Sequence, residues 1–426
     1  MNVSELIERR NRLLGVNAPL FYDKPVHIVR GEGVWLFDAD GRRYLDVYNN
    51  VPHVGHCHPH VVEALCRQAG TLNVHNRYLH ETILDYAERL TATFDESLSM
   101  AIFTCTGSES NEVALQMARH WTGGEGIICT NFAYHGNTTA VWELGTVFSG
   151  GVAASPRVRA VAPPDSYRGI NGLEGEALAD AYAAEVKKAI DSLAAAGIKP
   201  ACMLVCPLYS AEGLPVVPPG YLTRAVAHVR EAGGLFVSDE VQAGFGRSGS
   251  HMWGHQLHGV VPDIVTMGKP MGNGHPLAGV VTRADILNAF RDKVMYFNTF
   301  GGNPVSCAVG MAVLDVMEQE KLQENALNVG AYVIEGLKKL QQKYDLIGDV
   351  RGSGLFFGAE LVRDRTSKEP ATAETKRIVN GMRDRGVLIS RIGAFDNVLK
   401  MRPPMPFSCE NADQLLASLD ECLAAV

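Results

Sequence analysis

The densest run of reactive side chains is "NNVPHVGHCHPH" at 49–60, where His53, His56, His58 and His60 surround Cys57. Imidazole and thiol together suit a transition metal. Yet His56 and His58 flank a single residue, and no second ligand cluster follows elsewhere, so the spacing is not that of a closed zinc site and no metal is expected. Three other stretches hold groups that chemistry needs. "TCTGSESNEVALQMAR" (104–119) ends an apolar run, passes Gly107 and Ser108, and opens a helical pattern. Free backbone N–H groups and the positive helix end there make an anion seat, the plainer reading being a helix capped by Ser108. "VSDEVQAGFGRSG" (237–249) puts Asp239 and Glu240 at the end of an apolar strand, where a carboxylate needs a cation or a cap. "DIVTMGKPMGNGHPLAG" (263–279) sets Lys269 directly after another such strand, among Gly268, Gly272 and Gly274. A lysine in a tight apolar loop gives up its proton readily and becomes a nucleophile. The GxxxxGK[ST] spacing of a phosphate-binding lysine is absent.

An anion seat, a strand-end carboxylate and a buried lysine meet the needs of one cofactor, pyridoxal 5'-phosphate. Lys269 forms its Schiff base, Asp239 keeps its ring nitrogen protonated, and the helix end at Gly107 and Ser108 takes its phosphate.

Such groups work only if elements hold them. The chain has 426 residues, more than one ordinary core accommodates, and 46% hydrophobic and 20% charged residues suit a globular protein of two or more packed regions. A net charge of −8 with no basic tract argues against a nucleic-acid partner. No apolar run reaches the roughly 20 residues that cross a bilayer, so no membrane is expected. The opening "MNVSELIERRNRLLG" has no apolar signal core, and Glu5 and Glu8 argue against an organelle presequence. Nine scattered cysteines without a CxxC pair suit free thiols in a reducing cytoplasm.

Residues 26–48 alternate around "DADG" and predict a β-hairpin or meander. Short apolar runs at 101–105, 126–130, 201–206, 234–240 and 263–268 predict buried parallel strands, with helices between them, notably at 176–197. All three chemical loops therefore follow strand ends, where open α/β sheets place ligands. The stretch from about 305 predicts a smaller α+β region, and 147–156 a loop with no evident task.

"TGSESNEVAL", "AYHG", "SDEVQAGFGR", "GKPMGNGHPLAGV" and "NTFGGNPVSCAVG" occur in an order that resembles the class III aminotransferases, fold type I pyridoxal phosphate enzymes, over nearly the whole chain. The resemblance implies an α/β large domain with a mostly parallel seven-stranded sheet over 56–304. It implies a small α+β domain from 305–426, to which residues 1–55 contribute. It also implies a homodimer or homotetramer with active sites between subunits. By the same resemblance Tyr134 stacks on the cofactor ring, Val241 packs its other face and Gln242 reaches the ring hydroxyl. Thr299 binds the phosphate of the neighbouring subunit's cofactor, and "GHCHP" is a structural turn. Glu109 and Asn111 match the motif as supporting residues with no assigned role. Asn49 or Asn50 falls where relatives place a substrate-facing aromatic.

The departures bear on the substrate. Where many members hold a substrate carboxylate with an arginine three residues before a proline, "VLKMRPPM" has Lys400, with Arg402 two residues on. The gating "EPxxGEGG"-like loop reads "CPLYSAEGLP": Cys206 replaces the first glutamate, Ala211 falls at the gating one, and Glu212 is one place off. Asn137 stands where some members have an arginine. Lysine does not reproduce the bidentate arginine fork, so loss of the arginine and its gate together points to a different substrate; drift, with Arg402 making the contact, is the plainer reading. "NNVPHVGHCHP", "YLHETILDYAERL", "PDSYRG" and "NVLKMRPPM" resemble the ethanolamine-phosphate and phosphohydroxylysine phospho-lyases. That resemblance implies phosphate elimination from a small phosphorylated amine, with Lys269 as general base, rather than transfer of the amine to a keto-acid. Asn50, Lys24, Arg77, Lys400 and Arg402 are the candidates for holding the substrate.

Overall fold

The computed structural model describes residues 2–426. Its centre is a seven-stranded sheet of strands β4 (Met100–Thr104), β5 (Gly126–Thr130), β6 (Val158–Val161), β7 (Pro200–Val205), β8 (Leu235–Asp239), β9 (Ile264–Met267) and β10 (Ala278–Thr282). Their order across the sheet is β4-β10-β9-β8-β7-β5-β6. Neighbours run parallel except at β10, which is antiparallel to both β4 and β9. The five apolar runs become β4, β5, β7, β8 and β9. Two strands had no such signal: β6 is only Val-Arg-Ala-Val, and β10 continues the glycine-rich lysine loop.

These strands are buried on both faces because consecutive side chains serve opposite cores. Ile127 and Cys129 pack with the helix Gly107–Thr122, while Ile128 between them packs with the helices Gly175–Ala195 and Tyr221–Glu231.

The chain's two ends meet in a second layer. Strands β1 (Ile28–Glu32), β2 (Trp35–Asp38) and β3 (Arg43–Asp46) form the expected meander, with the "DADG" turn between β2 and β3. The sheet is completed from the far end of the sequence by β14 (Val387–Leu388), parallel to β3. Beside it β11 (Ile347–Ser353), β12 (Phe356–Asp364), β16 (Val398–Met401) and β15 (Ser390–Ile392) form an antiparallel sheet, with β13 (Glu369–Pro370) on β12. Buried Arg351 joins this sheet to the loop after β6, pairing with Glu360 on β12 and lying 3.5 Å from Asp165. The consequence for the site is positional: β16 delivers Lys400 and Arg402 to the open ends of β7, β8 and β9.

Among the described residues no helix is long and apolar enough to cross a membrane.

Candidate active site

The three loops converge. Gly107, Ser108, Tyr134, Asp239, Val241, Gln242 and Lys269 line one pocket, together with His135, Gly136, Cys206 and Ser210. Asn50, Lys400 and Arg402 are not among its lining residues, and neither are Thr299, Arg77 and Lys24. The last three are exposed, Arg77 holding its guanidinium over Phe297 at an outer cavity 5.1 Å from the ring centroid.

The anion seat is a true helix start. Thr106, not Ser108, is the cap, and Glu109 closes a capping box while also accepting the N–H of Cys105 at 2.7 Å. That gives Glu109 its role and leaves the first-turn N–H groups of Gly107 and Ser108 facing the pocket. Close packing keeps the seat bare. A Cβ on Gly107 would fall 2.9 Å from Val241, and one on Gly136, at φ +145°, would fall 2.6 Å from Ser108 Oγ. Gly136→Ala is therefore expected to push Ser108 aside and cost about 1–3 kcal/mol in backbone strain. Cofactor titration of the variant should show about tenfold weaker binding, and unchanged affinity would mean that Ser108 does not contribute.

Asp239 is buried at the end of β8 with both oxygens occupied. Val241 N–H donates to Oδ1 at 3.0 Å; Asn111 Nδ2 at 3.1 Å and the His135 ring Nδ1 at 2.7 Å meet Oδ2. Asn111 is itself fixed by Thr266 Oγ1 and the His135 carbonyl. These contacts hold the carboxylate at one angle, which gives Asn111 the role its motif position lacked. They also reveal a residue that sequence reasoning passed over. His135 was quoted in "AYHG", but its partner lies 104 positions away, and no periodicity marks such a pair.

Lys269 opens a short 3-10 turn after β9 and makes no side-chain hydrogen bond among the described residues. Burial, and then the positive charge of Arg402, bring its ammonium down to about 8. The neutral amine therefore prevails above that pH rather than above the usual lysine range. Uptake of pyridoxal phosphate by the apoprotein should accelerate about tenfold between about pH 7 and 9 and then level off. Stopped-flow reconstitution checks this, and a rate still climbing steeply beyond that range would mean an ordinary lysine.

Arg402 and Lys400 form a buried cationic group behind the lysine. Arg402 Nε donates to the Tyr48 carbonyl at 3.0 Å, its guanidinium lies over the Tyr48 ring, and Nη1 is buried with no acceptor. Lys400 Nζ donates to the Ser210 carbonyl at 2.8 Å and meets no carboxylate; burial, Arg402 and Lys269 pull its ammonium well below the usual range. It sits one layer behind Ser210 rather than on the pocket wall. Asn50 is also buried, and neither its amide nitrogen nor its amide oxygen has a partner.

The histidine run proves to be scaffolding. His53 bonds the Phe245 carbonyl at 2.7 Å, His56 bonds Asp46 at 2.7 Å, His58 bonds Glu320 at 2.9 Å and His60 bonds Asp315 at 3.0 Å. The rings face four different partners. Among the described residues no three candidate ligands come together. Asp46, braced by His56, also accepts the N–H groups of Tyr48 and Asn49, so this pair shapes the turn that presents Asn50.

Pyridoxal phosphate fits these residues on the structure's own terms. The helix end and bare glycines suit a phosphate, Asp239 a protonated ring nitrogen, Lys269 an aldehyde carbon, and the unpartnered buried Oε1 of Gln242 a ring hydroxyl.

Comparison with known proteins finds relatives over nearly the whole chain. The family model "Aminotransferase class-III" matches residues 21–423. A solved phospholyase from Arthrobacter, in complex with phosphoethanolamine, is 48% identical with a TM-score of 0.95, over 99% of this chain and 100% of that one. The alanine–glyoxylate aminotransferase 2-like protein of Drosophila melanogaster is 43% identical over 100% of this chain and 88% of that protein. Ethanolamine-phosphate phospho-lyase homolog 1 of Caenorhabditis elegans is 37% identical over 98% of this chain and 93% of that protein.

Proposed function

From the premise that the chain belongs to the class III aminotransferases, and is thus a pyridoxal-phosphate-dependent enzyme, we propose that it is a phospho-lyase. Its substrate would be O-phosphoethanolamine or a closely related phosphorylated amine, converted with water to an aldehyde, ammonia and phosphate. The observation that carries this reading is the buried basic group of Arg402 and Lys400 near Lys269, neither of which is hydrogen-bonded to a carboxylate. A buried cation with no bonded counter-ion is costly, and a doubly charged anion at the substrate's far end would offset it. Likeness to the phosphoethanolamine-bound Arthrobacter protein supports the same substrate class.

When bound, pyridoxal phosphate supplies an electron sink for the pair left at the substrate's Cα. Every other part falls to this chain. Lys269, whose ammonium is brought down to about 8, takes the Cα proton as its free amine. Asp239, braced by Asn111 and His135, holds negative charge where the ring nitrogen lies. Arg402 and Asn50 receive the phosphate end and keep it oriented for departure from Cβ. The buried walls keep water from the reacting carbon.

The second reading, transfer of the amine to a keto-acid, is favoured by the Drosophila relative's name. The absent arginine-and-glutamate gate weighs against it. Arg402→Met separates the two. Losing a buried charge partner of a substrate phosphate costs about 2–5 kcal/mol, so the KM for O-phosphoethanolamine should rise at least about 30-fold. The apoprotein should become no less stable, because the variant removes an unpaired buried cation. An unchanged KM would place the phosphate elsewhere.

A homodimer completes the proposal. Leu79, Met295 and Phe300 are 101%, 93% and 70% exposed, and they border the segment that carries Thr299. A second copy covering this patch would bring Thr299 to its partner's cofactor phosphate. Nine unpaired thiols suit the reducing cytoplasm in which we place the enzyme.

A further inference from the structure

Residues 147–156 showed no evident task in the sequence, yet the start of this loop grips the segment that carries Tyr134 into the pocket. Tyr134 lies on the pocket wall, a few residues past the end of β5. The turn between them is a difficult one. Phe132 has φ +67°, in the left-handed region that a phenylalanine rarely adopts, so its surroundings must hold it there. The turn after Gly145 does so. Ala133 N–H donates to Thr146 Oγ1 at 2.9 Å, that hydroxyl donates to the Thr130 carbonyl at 2.8 Å, and Val147 N–H donates to the Ala133 carbonyl at 3.2 Å. Gly151 N–H closes the turn onto the Thr146 carbonyl at 2.8 Å. Gly151 also packs so closely on Phe132 that a Cβ there would fall 2.9 Å from the ring. The same turn presents Phe148. Its ring meets that of Tyr134 edge to face, with centroids 5.7 Å apart and planes at 88°, and it stacks on Trp142 at 4.7 Å and 9°. An edge-to-face contact of this kind favours one tilt of a ring over others.

We infer that Phe148 is a positioning residue that acts through Tyr134. Its ring holds the tyrosine at the tilt with which it lies on the cofactor, and Trp142 backs Phe148 from the other side. The three rings form one stack that runs from the pocket to the surface. Phe148 is 59% exposed, and a substitution at so exposed a position ordinarily changes little. Here it should reach the cofactor. The inference rests on Tyr134 lying on the cofactor ring. It is independent of whether the reaction is elimination or amine transfer, because both need the same ring held still.

Phe148→Ala tests this in two ways: titration of the apoprotein with pyridoxal phosphate, and visible circular dichroism of the saturated holoenzyme. Without Phe148 the Tyr134 ring is free in the empty pocket and must be ordered on binding, so the dissociation constant should rise about two- to tenfold. The cofactor is achiral, so its visible dichroism reports the asymmetry that its surroundings impose, and this signal should weaken at full occupancy. Trp142→Ala should move both readouts in the same direction by less. Val152→Ala, exposed on the same loop but outside the stack, should move neither. The double variant shows whether Phe148 acts through Tyr134: in a Tyr134→Ala background, Phe148→Ala should have no further effect. Native affinity and native dichroism in Phe148→Ala would overturn the inference. A full effect of Phe148→Ala in the Tyr134→Ala background would also overturn it, and would make Phe148 a structural residue of the loop. Native affinity in Tyr134→Ala alone would overturn the premise that Tyr134 lies on the ring. Neither readout uses a substrate, so a failed lyase assay leaves both intact.

Discussion

Lys269→Ala should lower phosphate release by roughly 10⁴-fold or more, because the variant loses both the cofactor's covalent anchor and the base that takes the Cα proton. No second group covers for it. Lys400 is tied to the Ser210 carbonyl behind the pocket wall, and Arg402 Nε is already engaged with the Tyr48 carbonyl. The loss should not be a loss of fold. Lys269 makes no side-chain hydrogen bond among the described residues, and its ammonium is destabilised by burial and by Arg402. Removing it takes away a strained charge, so thermal melting of the apoprotein should not fall. A small primary amine added to the assay should restore part of the rate by supplying the missing base. An inactive variant that also melts early would mean structural damage instead.

Asp239→Asn should lower kcat by about 10²–10³-fold with little change in KM, the range seen when one fixed charge or donor at a reacting group is removed. Asparagine keeps the shape and can still accept the Val241 N–H, whose bond to Oδ1 measures 3.0 Å in the native chain. What disappears is the charge at the end of β8. The bound cofactor's absorption should change at constant occupancy, which separates a lost charge from a lost cofactor. Asp239→Glu should rescue little, since Asn111 and His135 hold the native carboxylate at one depth.

Much of this site could be read from the chain because its pieces are local. A glycine-serine step at a helix start, a carboxylate at a strand end and a lysine after a strand each announce themselves within a few residues. What could not be read depends on distance in sequence. His135 meets Asp239 only across the gap between β5 and β8, and Thr130 meets Glu212 only where the end of β5 faces the loop after β7. The fold followed the same rule. The long apolar strands stood out, whereas β6 and β10 did not: one alternates with arginine, and the other is glycine-rich and takes its place through pairing with β4 and β9. The histidine run misleads for the opposite reason. Four rings lie close in sequence, but the turn that carries them sends each to a different partner. Lys400 stands at the substrate arginine's sequence position, yet its amine lies behind Ser210; Arg402, two residues on, holds the unpartnered donor.

The central claim is elimination of phosphate, and the direct measurement is phosphate release from O-phosphoethanolamine by the purified holoenzyme with no keto-acid present. Sustained release of phosphate with equal amounts of acetaldehyde and ammonia, over many turnovers, is the predicted result. No phosphate, together with bleaching of the cofactor by an amine donor and its recovery on adding a keto-acid, would contradict it and make the enzyme a transaminase.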